Sequence, residues 1–272
     1  MITRIYHITY HDHDKTAYVQ FVGCNFKCLG CIRRRFTWNH HLYEDGDVKG
    51  LARSDVKVLT LEEFREIMEG VKEKMGLRRV VLGGGEPTAD PAFYSVVRLL
   101  SSMSSEVVLL TNGFLLDKFL NSMSKDFTIE LSIKSIHPEK FSIYTKRRKS
   151  DLDVVLKNVK LAFQSGFKVF VETILIPSFN EPQDIELLAE RVASDLGEDV
   201  PMIIDEYVPV PSAPWRRPTL EELLEAKGRS EKYLRKVIVR SSYTMRPLGK
   251  VCLVYPKSRH PERGEYHVQK ST

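Results

Sequence analysis

The chain has 272 residues, 42% hydrophobic and 28% charged, with a formal net charge of +5. This is the composition of a globular protein, and the length suits one large domain or one with a small appendage. No apolar run approaches the ~20 residues of a membrane helix, so no membrane partner is expected. Met1-Ile2-Thr3-Arg4 leads into His and Asp rather than a signal-peptide core, and a cytoplasmic location is the expectation.

The first element reads as a strand from Ala17 to Gly23, and it ends at a loop carrying Cys24, Cys28 and Cys31. Residues 32–59 are irregular and polar, with Trp38 and the pair His40-His41. Thr60 and Glu63 make a capping box. The helix behind them puts Leu61, Phe64, Ile67, Met68, Val71 and Met75 on one face, and Gly76 stops it. Arg79 to Leu82 is a short buried strand that runs into Gly83-Gly84-Gly85-Glu86-Pro87. Asp90-Pro91 opens a helix. Glu106 to Leu110 is a strand closed by Thr111-Asn112-Gly113. Phe114 to Met123 reads as helical, Phe127 to Ile133 as a strand, and Ser150 as the cap of a helix that reaches Ser165. Phe167 to Ile176 is a strand, Glu181 to Leu196 a helix, and Met202 to Val208 the sixth strand.

Strands alternating with helices imply a parallel sheet. Six repeats rather than eight suggest an α/β fold of the open, partial (β/α)6 barrel type. In such sheets the site lies at the carboxyl ends of the strands. The cysteine loop, the Gly-Gly-Gly-Glu turn, Thr111-Asn112-Gly113, Ser132 and Lys134 all fall at that end. After Val208 the rhythm changes. Prolines 209, 211, 214 and 218 surround Trp215-Arg216-Arg217, Thr219 and Glu222 cap one more helix, and residues 237–239 and 251–255 suit short strands. We therefore expect a core of residues 1–208 and a small basic C-terminal extension of residues 209–272, its end from Lys257 frayed. The extension holds 14 Lys+Arg against 6 Asp+Glu, net +8, so the rest of the chain is net −3. Arg33-Arg34-Arg35 and Lys146 to Lys149 add short basic runs. Such runs attract acidic or phosphate-bearing partners when they are more than a solvated surface.

The chemistry centres on Cys24-x3-Cys28-x2-Cys31. Three thiolates can hold three irons of a cubane cluster and leave the fourth without a protein ligand. Structural zinc is the competing use of such a spacing, with His40 and His41 nine and ten residues beyond Cys31. Four cysteines, three of them clustered, do not make a disulfide framework. Cys252 stands alone in an apolar run, as a small buried hydrophobe does. The glycines at 83–85 are backbone devices common between strand and helix. Glu86 adds an acid that can receive an ammonium group.

Together, on successive strands and in this order, the cysteine spacing and Gly84-Gly85-Glu86-Pro87 resemble the two signature motifs of the radical S-adenosylmethionine (SAM) superfamily. The resemblance covers about residues 16–208. It implies a [4Fe-4S] cluster on Cys24, Cys28 and Cys31, with SAM bound at the open iron and its methionine amino group held by Gly84, Gly85 and Glu86. It further implies reductive SAM cleavage, hydrogen abstraction from a substrate, and a low-potential electron donor of flavodoxin or ferredoxin type. No separate catalytic side chain is implied. Within the superfamily the chain is most similar to activating enzymes of glycyl-radical enzymes. Thr111-Asn112-Gly113-Phe114 matches their Thr-Asn-Gly turn, Ser132-Ile133-Lys134 their Asp-x-Lys segment, and Thr173 to Pro177 their fifth-strand exit. Thr111, Asn112, Ser132 and Lys134 are the further cofactor contacts so implied.

The departures are specific. Leu110 and Ser132 stand where activating enzymes place acids that hold a monovalent cation. Glu172 replaces an Arg, Val208 a His, and Gly30 the aromatic residue that touches adenine. The cofactors are therefore expected to be shared and the substrate to differ, with a macromolecular or polyanionic substrate suggested by the basic runs. A non-catalytic iron–sulfur or zinc protein on the same fold, a radical SAM enzyme of a small molecule or RNA, and a basic nucleic-acid-binding protein are the alternatives.

Overall fold

The computed structural model describes residues 1–43, 51–103, 105–211, 213–244 and 249–257. Its strands are β1 (Ile5–His11), β2 (Thr16–Phe21), β3 (Arg79–Gly84), β4 (Glu106–Thr111), β5 (Thr128–Ser132), β6 (Lys168–Leu175), β7 (Met202–Glu206), β8 (Val237–Arg240) and β9 (Val251–Tyr255). They form one nine-stranded sheet in the order β8-β7-β6-β5-β4-β3-β2-β1-β9. β2 through β8 run parallel in sequence order. β1 pairs antiparallel with both β2 and β9. The sheet is open, because β8 and β9 each have a strand neighbour on one side only. The helices are α1 (Leu61–Met75), α2 (Phe93–Ser102), α3 (Pro138–Thr145), α4 (Asp151–Gln164), α5 (Pro182–Leu196) and α6 (Leu220–Ser230).

Local chemistry explains most of these bounds. Thr60 accepts from the Glu63 N–H while the Glu63 carboxylate accepts from the Thr60 N–H, and α1 starts there. Thr219 and Glu222 do the same for α6. Each pair satisfies two of the donors a helix start leaves unbonded. Phe64, Met68, Val71 and Met75 are the buried stripe of α1. Alternate residues of the strands meet the helices in one continuous core that includes Val19, Leu82, Leu109, Ile129, Val171 and Ile204.

Several expectations need correction. The expected first strand is the second. β1 was missed because its polar residues His7 and Thr9 are buried beside its apolar ones and find partners far away in sequence. The expected helix over 114–123 is only a 3-10 turn, Leu116–Lys118. The Asn158 amide donates to the Gly113 and Phe114 carbonyls at 2.9 and 3.2 Å, and those are carbonyls a helix start would need. α3 carried no sequence signal beyond the proline at its first turn. The segment after Val208 supplies α6, β8 and β9, so its described strands lie in the same sheet as the rest, one at each edge. Most of the tail read as frayed, residues 258–272, lies outside the described residues.

Candidate active site

The cysteine loop leaves β2 through Gly23 and is tied down at several points. Phe26 is its apolar anchor, buried with its ring edge against Phe141 and Phe114. The Lys27 and Leu29 N–H groups donate to the Thr145 and Tyr144 carbonyls at 2.9 and 2.8 Å, which docks the loop on the end of α3. Gly30 is buried, and a Cβ there would lie 2.7 Å from the Tyr207 ring and 2.8 Å from the Tyr144 hydroxyl. Two tyrosines from elsewhere in the chain thus fill the space in which a side chain at this position would begin. Trp215 packs on both rings, with centroids 5.7 Å from Tyr144 and 6.0 Å from Tyr207.

Cys24 is exposed, Cys28 and Cys31 are half-buried, and all three thiols are free. The Cys24 sulfur accepts from the Phe26 N–H at 3.3 Å and lies 3.7 Å from the Asn112 amide nitrogen. Burial pushes the Cys28 thiol up to about 12, with the Lys134 ammonium pulling the other way. A bound iron would reverse that balance, since a coordinating thiol gives up its proton to the metal. Among the described residues, no three His, Cys, Asp or Glu side chains gather as a single metal ion requires. A cubane takes its thiolates one to each of separate irons, and three free thiols on one loop with N–H groups aimed at sulfur are a donor set that suits it. His40 and His41 are elsewhere. Their ring centroids lie 4.0 Å apart with the planes tilted by 37°, and His41 meets His11 edge-on at 5.7 Å.

The glycine turn explains itself by close approach. A Cβ on Gly85 would fall 2.1 Å from the Gly23 carbonyl oxygen, and Gly84 has φ +89° with the Gln20 side chain against it. The Gly85 and Glu86 N–H groups donate to the Phe21 and Gly23 carbonyls, continuing the β2–β3 ladder into the loop. Glu86 is 2% exposed. One of its oxygens accepts from the Thr88 N–H, the Thr88 hydroxyl and the Thr111 hydroxyl, and the other from the Asn112 N–H at 2.7 Å. Burial pushes its carboxyl up, and these donors hold it down. Only Oε2 keeps a lone pair to spare. Asn112 carries the chain onward by donating to the Asn25 side-chain oxygen at 2.7 Å. Glu86, Asn112 and Asn25 therefore link the glycine turn, the Thr-Asn-Gly turn and the cysteine loop. Sequence reading found the first two. Asn25 and Thr88 carried no signal of their own.

Ser132 and Lys134 lie at the end of β5. Lys134 contacts the Ser132 hydroxyl and pairs with Glu172 at 3.5 Å. Burial is the largest single effect and works against its charge, but Glu172, Cys28, Asp205 and Cys31 together outweigh it and raise its pKa. Glu172 is lowered in turn, against burial, by Lys134 and then Arg240. Sequence reading did not find Arg240, Asp205, Glu130 or Tyr207, which surround these groups, and it met Tyr144 only through the likeness of the 132–145 segment to activating enzymes. They come from separate elements and share no spacing.

The family model described as the radical SAM superfamily matches residues 18–192. GTP 3',8-cyclase of Synechocystis is 27% identical over 168 residues, which are 61% of this chain and 46% of that protein. The "Putative glycyl-radical enzyme activating enzyme MJ1632" of Methanocaldococcus jannaschii is 27% identical over 226 residues, 82% of this chain and 80% of that protein. The chain spans about half the length of the GTP 3',8-cyclases it matches. Among solved structures, SuiB of Streptococcus suis superposes with a TM-score of 0.61 at 15% identity, covering 80% of this chain and 47% of SuiB, a likeness of fold.

Proposed function

Because the chain belongs to the radical SAM superfamily, whose members use a [4Fe-4S] cluster and SAM, we propose that it cleaves SAM reductively and abstracts a hydrogen atom from its substrate. The observation that carries this reading is the three-thiol loop joined to the glycine turn through Asn112 and Glu86. When bound, the cluster and SAM supply one-electron cleavage of the sulfonium carbon–sulfur bond and a 5′-deoxyadenosyl radical. The chain's own part is to place and shield them. Cys24, Cys28 and Cys31 ligate three irons. Gly84 and Gly85 leave the backbone open to the methionine amino group, Glu86 offers it one Oε2 lone pair, and Thr111 and Asn112 hold Glu86 in place. Lys134, with Ser132 beside it and Glu172 as its partner, would meet the SAM carboxylate.

The finer reading is an activating-enzyme-like protein that meets a macromolecule, reduced by a flavodoxin- or ferredoxin-type donor in the cytoplasm. Two observations support it. The M. jannaschii relative is matched over 80% of its length. The Lys27–Thr145 and Leu29–Tyr144 bonds bring the basic runs at 33–35 and 146–149 to one rim around the cysteine loop. Residues 1–208 would be the catalytic core, and 209–272 an extension whose Trp215 covers Tyr144 and Tyr207. Among the described residues, no helix is long and apolar enough to cross a membrane. Anaerobic reconstitution followed by reduction with SAM present tests the general reading, with release of 5′-deoxyadenosine and methionine expected. Protein that binds stoichiometric zinc and no iron would refute it. Stimulation of that release by the large, salt-sensitive fraction of a lysate supports the finer reading, and stimulation by the small-molecule fraction alone rejects it.

A further inference from the structure

The parallel strands turn a set of ionisable side chains toward one another. Residue pairing places Glu130, Glu172, Asp205 and Arg240 on one face of β5, β6, β7 and β8, with Ser132 paired to Glu172 and Asp205 to Arg240. Tyr18 of β2 is on the same face, through Val81 and Val108. Arg240 and Glu130 are three strands apart, roughly 14 Å in a flat sheet, yet Arg240 Nη2 donates to Glu130 at 2.7 Å. This face is therefore the inside of the curl. Arg240 also binds both Asp205 oxygens, at 2.6 and 2.9 Å. The layer is not sealed, since Glu130, Asp205 and Arg240 side chains keep 12%, 29% and 32% of their surface accessible.

Each cation here already faces carboxylate, Arg240 two of them and Lys134 one. Between β5 and β8, three carboxylates against two cations leave one formal negative charge in excess; Arg33 meets the same face only at β2 and β1, against Gln20 and Tyr6. Among the described residues the second Glu130 oxygen makes no hydrogen bond. Burial pushes the Asp205 carboxyl up to about 6, with Arg240 opposing and Glu172 and Glu130 adding to the rise. An entering phosphate or carboxylate would meet like charge. An entering cation would discharge the excess. Lys134 connects this layer to the cofactor side, because its charge acts on Cys28 as well as on Glu172.

We propose that the inside of the sheet between β5 and β8 is a substrate-recognition site for a cationic nitrogen group, an amine or guanidinium, received by Glu130 and Asp205. The inference rests on the radical SAM reading above and names the substrate's chemistry. It also sets this chain apart from an enzyme that would admit a triphosphate into its interior. The nitrogen group could belong to a free amine or to a Lys or Arg side chain of a polypeptide.

The test is calorimetric titration of the full chain, reconstituted and loaded with SAM, at pH 7.5. The probes are agmatine, spermidine and an end-blocked Gly-Lys-Gly peptide, with glutarate and tripolyphosphate as anions. Cationic probes are expected to bind and anions not, and tighter binding by the amines or by the peptide identifies the source. Glu130→Gln and Asp205→Asn should each weaken binding ~10- to 100-fold, as loss of a charge-assisted bond does. Should Asp205→Asn fail to fold, Glu130→Gln, which keeps an oxygen for Arg240, decides. Affinity should also fall from pH 7.5 to 5, as Asp205 takes a proton among Arg240, Glu172, Glu130, Lys134 and Tyr18. SAM affinity and the cluster spectrum are read in the same samples, and their absence would count against the radical SAM reading instead. With both present, binding of anions in place of cations, no binding of any cation, or equal affinity in Glu130→Gln overturns the proposal.

Discussion

The two halves of the curled sheet handle buried acid in opposite ways. At the exits of β2 to β4, the Glu86 carboxylate is surrounded by neutral donors, two backbone N–H groups and two hydroxyls. Inside β5 to β8, Glu130, Glu172 and Asp205 are held by cations, Lys134 and Arg240, and one charge is left over. A carboxylate held by neutral donors is fixed in place, ties together the loops around it, and keeps its charge and one Oε2 lone pair for a cation placed at that point. Acids held by mobile charged side chains, with one formal charge left over, are arranged around cations and can exchange one for a partner's. The first arrangement suits a cofactor common to a superfamily, and the second suits the substrate peculiar to one member. Three of the departures from the activating enzymes fall on the ionic side of this division, while Gly30 lies in the cysteine loop. Glu172 and Ser132 belong to the ionic half, and Leu110 is the last residue but one of β4, the strand that borders it.

The comparison breaks most completely at the cysteines. Replacing Cys24, Cys28 or Cys31 by Ala should abolish iron binding and the brown chromophore after reconstitution, whereas Cys252→Ala, in β9, should leave both intact. Iron analysis decides, and full iron content in any of the first three variants would undo the ligand assignment.

Next in size is Glu86→Ala. It strands the Thr88 and Asn112 N–H groups in a buried site and should destabilise the fold by roughly 4 kcal/mol, at 1–3 kcal/mol for each buried donor. SAM affinity should fall with it, ~10- to 100-fold. Denaturant midpoints and SAM titrations measure the two effects. A variant as stable as the wild type would mean that the neutral clasp is not what joins the loops.

Acid separates the halves by sign. His7 is wholly buried in β1, with Nδ1 toward the Tyr255 carbonyl and Nε2 accepting from the Asn39 N–H, which is the neutral ring. Burial lowers its pKa to about 4, against the pull of the Tyr255 carbonyl. The unfolded chain then takes the proton first, so stability from His7 is full above about pH 6.5 and is lost as pH falls toward 4, by up to about 3 kcal/mol. Asp205 runs the other way. Its raised pKa lets the folded state take the proton first, so its contribution grows as pH falls through 6. Unfolding curves from pH 7.5 to 4.5 should show less acid loss in His7→Gln and more in Asp205→Asn. Parallel shifts in both variants would contradict the contrast.

The smallest expected effect is at Gly30, where loop and interior meet. Gly30→Ala places a Cβ against Tyr207 and Tyr144 and should lower stability by about 1–3 kcal/mol, as overpacking does. Tyr207→Leu should recover part of the loss. Failure of the second change to help would show that the two tyrosines are not what requires glycine.

The cofactor half was largely legible in the sequence, because its parts are local. The cysteine spacing, the glycine turn and the Thr-Asn-Gly turn each lie within eight residues, and capping boxes at Thr60 and Thr219 announced their helices. The ionic half was not legible. Glu130, Asp205 and Arg240 carried no signal, and Lys134 and Ser132 showed only as polar residues at a strand end until the resemblance gave them a role.

The sequence by itself determined the βα order, the strand ends at which the cysteine loop and the two turns lie, and the spacing of the thiols, since alternation, caps and turns act over a few residues. The tertiary structure alone decided that β1 and β9 extend the sheet, that Gly30 is glycine because two tyrosines occupy its space, and that Arg240 reaches Glu130 across three strands. Those outcomes depend on the register and curvature of the sheet, which set which charges come within hydrogen-bond reach. No window of neighbouring residues carries that information.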